Sequence, residues 1–125
     1  LRPGEFVVVS TTSEVTLPAL ATVDEEEGRT LVLERHEADA FRLAHVGTFA
    51  WITLTVHSSL DAVGLTAAVA RALAGRDIPC NVLAGFHHDH LLVPSDRADE
   101  AIAALRDLSA SASGAAPDAG VGTSS

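Results

Sequence analysis

Residues 49–56 read FAWITLTV and are the strongest strand signal in the chain. Apolar and polar side chains alternate along this stretch, and a period of two is typical of a strand with one face in the core. One face carries Ala50, Ile52, Leu54 and Val56, and the other carries Phe49, Trp51, Thr53 and Thr55. We therefore predict a strand with one apolar face and one mixed face.

The elements that follow this strand occur in the order of a split βαβ unit. A polar turn over 57–61 leads into a helix over 62–74, where apolar residues recur at helical spacing and alanines favour the helix. Two strands come next, over 80–86 and 88–93, and a last helix begins after Pro94. Strand, helix, strand, strand, helix is the order of a split βαβ, ferredoxin-like half.

The first third of the chain predicts three more strands and a short helix. One strand covers 6–10, and a hairpin pairs 20–23 with 30–33 across an acidic turn that ends at Gly28. A short helix follows over 34–43.

These elements predict an α+β fold of two ferredoxin-like halves. The halves cover residues 1–47 and 48–109 and share an antiparallel sheet with helices packed on one side, because neither half alone has enough apolar surface. After residue 109 the composition falls to small and polar residues, so we expect 110–125 to be a disordered tail. The chain opens on Leu1 instead of Met, which leaves open whether an N-terminal element is missing.

Composition excludes several classes of function. Among 125 residues, 17 acidic and 8 basic side chains give a formal net charge of −9, which argues against nucleic acid and anionic membranes as partners. The apolar runs are far shorter than the roughly 20 residues of a membrane span. The single cysteine, Cys80, has no partner for an internal disulfide. We expect a cytoplasmic protein with no cofactor.

The loop between the central strand and its helix is the first candidate site. The first N–H groups of a helix lack partners, and the helix dipole is positive there, so this corner can bind a carboxylate. Asp61 or Ser59 could cap the helix, and Gly64 would let a ligand approach closely. The same features describe any capped helix that packs tightly on a sheet.

Asn81 is the second candidate, because it lies in an otherwise apolar strand. A buried amide needs hydrogen-bond partners, and either a ligand or a neighbouring backbone would supply them.

The segment 87–90, HHDH, is the third candidate. Alternation along a strand would place His88 and His90 on one face, where two imidazoles could share a metal ion. A metal site would need further ligands, and no nucleophile with a matched base accompanies the pair. We therefore expect His88 and His90 to be chiefly structural and hydrogen-bonded within the sheet or at the seam between the halves, with metal binding as the alternative.

Three stretches together resemble one protein family. They are SSLDAVGLTAAVARAL at 58–73, IPCNVLAGF at 78–86 and HDHLLVP at 88–94, and the hairpin around Gly28 is also similar. The sequence resembles a family of small bacterial ACT-domain proteins of unknown function over roughly residues 6–108. The fold that this implies is a tandem pair of ACT-like, ferredoxin-like subdomains, similar to the ACT modules of cellular amino-acid sensors.

The resemblance implies that the protein binds a free amino acid or similar small zwitterion, usually at the seam between paired ACT units. The strand-to-helix loop would receive the ligand's charged ends, and the backbone at Val63 and Gly64 would face the carboxylate. Carried over residue by residue, the ligand-binding residues are Ser58, Ser59, Asp61, Val63, Gly64 and Asn81.

From this we predict a regulatory, non-catalytic module. The sequence holds no catalytic domain, so any regulation would act on a partner, and the resemblance also allows a homodimer. Two alternatives stay open. One is a metal-binding or small hydrolytic protein that uses His88 and His90, and the other is a structural interaction domain with no ligand.

Overall fold

The computed structural model describes residues 1–13, 16–55, 62–113 and 120–121. The chain divides into an N-terminal unit, Gly4–Phe49, and a C-terminal unit, Ala50–Ser125, which also includes Leu1–Pro3. The division after residue 49 lies two residues from the boundary expected from the sequence. Across the described residues, no helix has the length and apolar character that a membrane span requires.

The N-terminal unit contains three strands and one short helix. Strand β1 covers Arg2–Thr11, β2 Ala21–Glu25, β3 Gly28–Glu34 and helix α1 Arg35–Ala40. Strand β3 pairs antiparallel with both β1 and β2. The β2–β3 turn requires a glycine, because Gly28 has a φ of +150° and an added Cβ would lie 2.9 Å from the carbonyl oxygen of Thr11.

The N-terminal core comes from alternate residues of the two longer strands and from α1. Its buried members are Val7, Val9, Leu31, Leu33 and Ala38. The strand residues follow the period of two that turns every second side chain to one face. Helix α1 has six residues, of which Ala38 is the buried one, so the strands supply most of this core.

The C-terminal unit has the order β-α-β-β-α-β. Strand β4 covers Phe49–Thr55, α2 Ala62–Ala74, β5 Asn81–Ala84, β6 Asp89–Pro94, α3 Ala98–Ser113 and β7 Gly120–Val121. A 3-10 turn, Ser95–Arg97, joins β6 to α3. Strand β6 lies between β4 and β5 and pairs antiparallel with β5, while β7 pairs antiparallel with β4.

One face of this sheet packs against α2 and α3. The buried core joins the strand residues Ala50, Ile52, Leu54, Leu91 and Val93 to helix residues that include Val69, Leu73, Ala101 and Leu105. Trp51, Thr53 and Leu92 are also buried but belong to the alternate positions of β4 and β6, so they lie on the other face of the sheet. The α+β class and the antiparallel sheet predicted from the sequence are confirmed.

Two parts of the segment 110–125, which we expected to be a disordered tail, have regular secondary structure. Helix α3 continues to Ser113, and Gly120–Val121 form a strand whose Val121 is opposite Leu54 of β4. The low apolar content of this segment pointed to disorder, but alanine is the best helix former and can extend an existing helix without core contacts. The end of β4, at Leu54 and Thr55, supplies the backbone partners of this short extended segment.

Candidate functional site

Three of the six predicted ligand-binding residues are among the described residues. Ser58, Ser59 and Asp61 lie outside the described residues. Val63 and Gly64 belong to the first turn of α2, and Asn81 is the first residue of β5.

The start of α2 is open around Gly64. This residue is exposed, and among the described residues no heavy atom outside the backbone of α2 and the two neighbours of Gly64 would lie within 4 Å of a Cβ added to it. The first turn of α2 contains no acidic residue. The N–H groups and partial positive charge of this helix end therefore meet no carboxylate from the turn itself, and the glycine leaves room beside them.

Asn81 differs from its expected setting. It lies opposite Leu92 in the antiparallel β5–β6 pair and is exposed, as are Val82 and Ala84. An exposed amide can bond to water, so neither a ligand nor a neighbouring backbone is needed to satisfy it. Strand β5 is apolar in sequence because its residues are small or aliphatic, and this composition does not by itself imply burial.

His90 forms a polar cluster with two residues of β4. The indole N–H of Trp51 lies 3.3 Å from Oγ1 of Thr53 and 3.2 Å from Nδ1 of His90, and Thr53 Oγ1 lies 3.0 Å from the same Nδ1. The rings of Trp51 and His90 are 5.2 Å apart, centroid to centroid. We call Trp51, Thr53 and His90 the His90 cluster. Its bonds within the sheet match the structural role expected for His90.

The surroundings of the cluster favour a neutral imidazole. Burial lowers the pKa of His90 from its usual value, and His88 and the Arg2 guanidinium lower it further, while Asp89 acts in the opposite direction. Arg2 also lies over the Trp51 ring, with its guanidinium carbon 5.4 Å from the ring centroid. His90 is therefore uncharged at neutral pH.

His88 does not share this role. It is exposed and lies before β6 begins, and its carbonyl oxygen accepts a bond of 3.0 Å from the Gly85 N–H in the β5–β6 turn. Within the described part of the chain, no three His, Cys, Asp or Glu side chains come together as a group that could hold a metal ion.

Cys80 behaves as a core residue. It is partly buried and packs against the C-terminal core, and burial raises the pKa of its thiol. A protonated thiol is a weak nucleophile, so the described surroundings of Cys80 do not activate it.

Sequence reasoning did not identify Trp51 and Thr53 as a functional pair. The signal was present, since both fall on the mixed face of the FAWITLTV strand, and both can form hydrogen bonds. Their bond to His90 spans 39 residues for Trp51 and 37 for Thr53, so it depends on β4 and β6 being neighbours. No local pattern predicts the place of Arg2 over the indole.

Comparison with known proteins agrees with this fold. Two family models, each described as an ACT domain, match residues 1–50 and residues 48–107. No curated protein matches the chain.

The solved structures that are similar to the chain include two bacterial proteins. A Vibrio cholerae protein of unknown function, described as a possible transport protein, is 41% identical with a TM-score of 0.80, over 86% of this chain and 85% of that one. An Agrobacterium tumefaciens protein is 18% identical with a TM-score of 0.66, over 84% of this chain and 83% of that one, a likeness that shows the fold alone. The chain belongs to the ACT-domain family and carries two ACT domains.

Proposed function

We propose that this protein is a regulatory module that binds a free amino acid, or a similar small zwitterion, where β4 leads into α2. ACT domains are typically regulatory modules that bind small molecules and are usually not catalytic. Both parts of the chain match such domains, which supports a binding role. A regulatory role would be exerted on a partner protein, and a homodimer is one assembly in which it could act.

The observation that carries the proposal is the open first turn of α2. Gly64 is exposed, and no described heavy atom beyond the helix backbone and its chain neighbours lies within 4 Å of an added Cβ. The first turn of α2 itself contains no acidic residue. A carboxylate can accept hydrogen bonds from the N–H groups of Val63 and Gly64, which have no partners inside the helix. Ser58 and Ser59 add hydroxyl groups in the proposed loop.

The ammonium group of the ligand needs an acceptor within the length of one amino acid. Asp61, one residue before α2, offers a carboxylate in the proposed loop. Asn81 was the other candidate, but it begins β5, after the chain has left the far end of α2, so we assign the acceptor to Asp61. A zwitterion has no net charge, so the net charge of −9 does not repel it. The proposed site thus offers donors for one end of the ligand and acceptors for the other.

A neutral or hydrophobic ligand side chain suits this place best. Leu65 is partly exposed in the first turn of α2, so apolar surface is available beside the proposed carboxylate contact. The loop over 57–61 contains no arginine or lysine that would pair with an acidic side chain.

The test is calorimetric titration of the twenty amino acids into wild type, Gly64→Val and Ala67→Val. Gly64→Val places a branched side chain beside the N–H groups, and Ala67→Val is the matched control, since Ala67 is exposed one turn further along the same helix. We expect an amino acid to bind wild type and Ala67→Val and not Gly64→Val, with all three proteins folded by circular dichroism. Failure of every amino acid to bind at millimolar concentration, or equal binding to wild type and Gly64→Val, would contradict the proposal.

A second variant tests the ammonium contact. Asp61→Asn keeps a side chain that can cap a helix but removes the charge. We expect it to weaken binding by about tenfold, since a hydrogen bond to a charged group contributes about 1.5 kcal/mol or more. Unchanged affinity in folded Asp61→Asn would contradict the proposed ammonium contact.

A further inference from the structure

The His90 cluster shares no residue with the proposed ligand site, and it joins two strands of the C-terminal sheet. Thr53 is the one buried polar side chain among the described residues, with 4% of its surface exposed, and Trp51 is 5% exposed. Buried polar groups of this kind are costly to leave without partners. The protonation state of His90 therefore bears directly on how β4 and β6 are held.

The bonds fix which nitrogen of His90 carries the proton. An indole N–H can only donate, so Nδ1 of His90 must accept the bond from Trp51. The hydroxyl of Thr53 can donate to the same Nδ1 while its oxygen accepts from the Trp51 N–H. A neutral imidazole with a lone pair on Nδ1 carries its proton on Nε2.

We propose that His90 is a proton-sensitive link between β4 and β6, closed when its Nδ1 accepts hydrogen bonds and opened when that nitrogen is protonated. In the imidazolium both ring nitrogens are donors. The bond from Trp51 then breaks, because two N–H groups face each other, and the bond with Thr53 must reverse its direction. The contact between β4 and β6 at Trp51, the only tryptophan of the chain, therefore changes.

The charges around His90 set the range of pH in which the link opens. The groups that act on it are Arg2 at the start of β1, His88 in the turn before β6, and Asp89 on β6 itself. The β4 residues that face it, Trp51 and Thr53, are uncharged. Arg2 and His88 oppose a positive charge on His90 and Asp89 favours it, while burial opposes it most strongly.

The sign of the effect on stability follows from this lowered pKa. An unfolded chain protonates His90 near its usual value of about 6.5, whereas the folded chain resists protonation to a lower pH. The stabilisation by neutral His90 is complete above about pH 6.5, and it is lost as the pH falls from there through the lower pKa of the folded state. Acidification therefore weakens the C-terminal unit.

The sequence provides a clean reporter for this transition. Trp51 is the only tryptophan and the chain has no tyrosine, so emission excited at the indole band comes from the cluster alone. We expect the emission of wild type to follow a one-proton transition with a midpoint below pH 6.5. His90→Gln, which can accept a bond but does not titrate, should lose the transition, whereas His88→Gln should keep it with the midpoint moved upward.

Two results of the fluorescence titration would overturn the proposal. One is the absence of a transition in wild type between pH 4.5 and 7.5, and the other is an unchanged transition in folded His90→Gln. The nitrogen chemical shifts of His90 in wild type give a test that needs no variant, since they distinguish the two neutral forms. We expect a proton on Nε2 at pH 7.5, and a proton on Nδ1 there would contradict the proposed link.

Discussion

The two ACT units place their polar interactions differently. In the N-terminal unit the ion pairs are exposed, and Arg35 bonds to Glu5 at 2.9 Å with about half of each side chain open to solvent. In the C-terminal unit the His90 cluster joins a polar side chain that is 4% exposed to a tryptophan that is 5% exposed. Exposed ion pairs each contribute little to the free energy of unfolding, whereas loss of a buried hydrogen bond lowers it more. The two units therefore differ in how much their polar contacts contribute to stability.

The cores of the two units also differ, because the C-terminal core contains more buried helical residues. Helix α1 has six residues, whereas α2 has 13 and α3 has 16. The C-terminal core contains buried residues from both long helices, while the N-terminal core has Ala38 as its one buried helical member. We expect single substitutions in the C-terminal core to cost the most.

Leu105→Ala should have the largest effect on stability. Leu105 is fully buried in the C-terminal core, and such truncations lower the free energy of unfolding by about 2–5 kcal/mol. Urea denaturation followed by circular dichroism measures the loss. Leu20→Ala in the N-terminal unit is the control, since Leu20 is 38% exposed and should cost less than about 1 kcal/mol. Equal losses in the free energy of unfolding would contradict the expected difference between the buried Leu105 and the exposed Leu20.

Two glycine substitutions should change stability in opposite directions. Gly28→Ala forces a Cβ to within 2.9 Å of a backbone oxygen at a strained φ, and we expect a loss of about 1–3 kcal/mol. Gly64→Ala adds a Cβ in open space inside a helix and should add up to about 1 kcal/mol. Thermal unfolding measures both. A rise in Tm for Gly28→Ala would show that the turn tolerates a side chain.

A matched pair of threonine substitutions separates buried from exposed hydrogen bonds. Thr53→Val removes a hydroxyl from the His90 cluster and should cost about 1–2 kcal/mol, because the remaining polar groups are buried. Thr30→Val removes an exposed bond to the carboxylate of Glu25 and should cost less than about 0.5 kcal/mol. The same urea assay measures both losses in the free energy of unfolding. A larger loss in Thr30→Val than in Thr53→Val would contradict the greater contribution of the buried hydrogen bonds.

Arg35→Gln should have the smallest effect. It removes the bond to Glu5 and a longer contact of 3.7 Å to Asp39, both exposed, so we expect a loss of about 0–1 kcal/mol. The loss should shrink further in 1 M salt, because salt screens exposed charges. A loss above about 2 kcal/mol that persists in high salt would mean that this ion pair holds the N-terminal unit together.

Much of the fold could be predicted because its signals are local. The alternation in FAWITLTV gave β4 to within one residue, and helix α2 spans the predicted residues 62–74. The glycine at the β2–β3 turn and the order of the elements were also visible in the sequence.

The remaining features depend on contacts between distant residues or on weak preferences. No apolar periodicity in the sequence predicts the extension of α3 to Ser113 or the two-residue strand β7. The exposure of Asn81 follows from the position of β5 beside a single strand, β6, at the end of the strand order. The His90 cluster needed the adjacency of β4 and β6, which the sequence indicated only through the expected fold.

The assignment of the ligand to the start of α2 is tested most directly by amide NMR. The amino acid that binds in calorimetry is titrated into wild-type protein, and the shifts of the backbone N–H groups of Val63 and Gly64 are followed. We predict large, saturable shifts at these two amides and none at Gly75, which follows the opposite end of the same helix. Shifts that leave Val63 and Gly64 unchanged while other amides move would contradict the assignment.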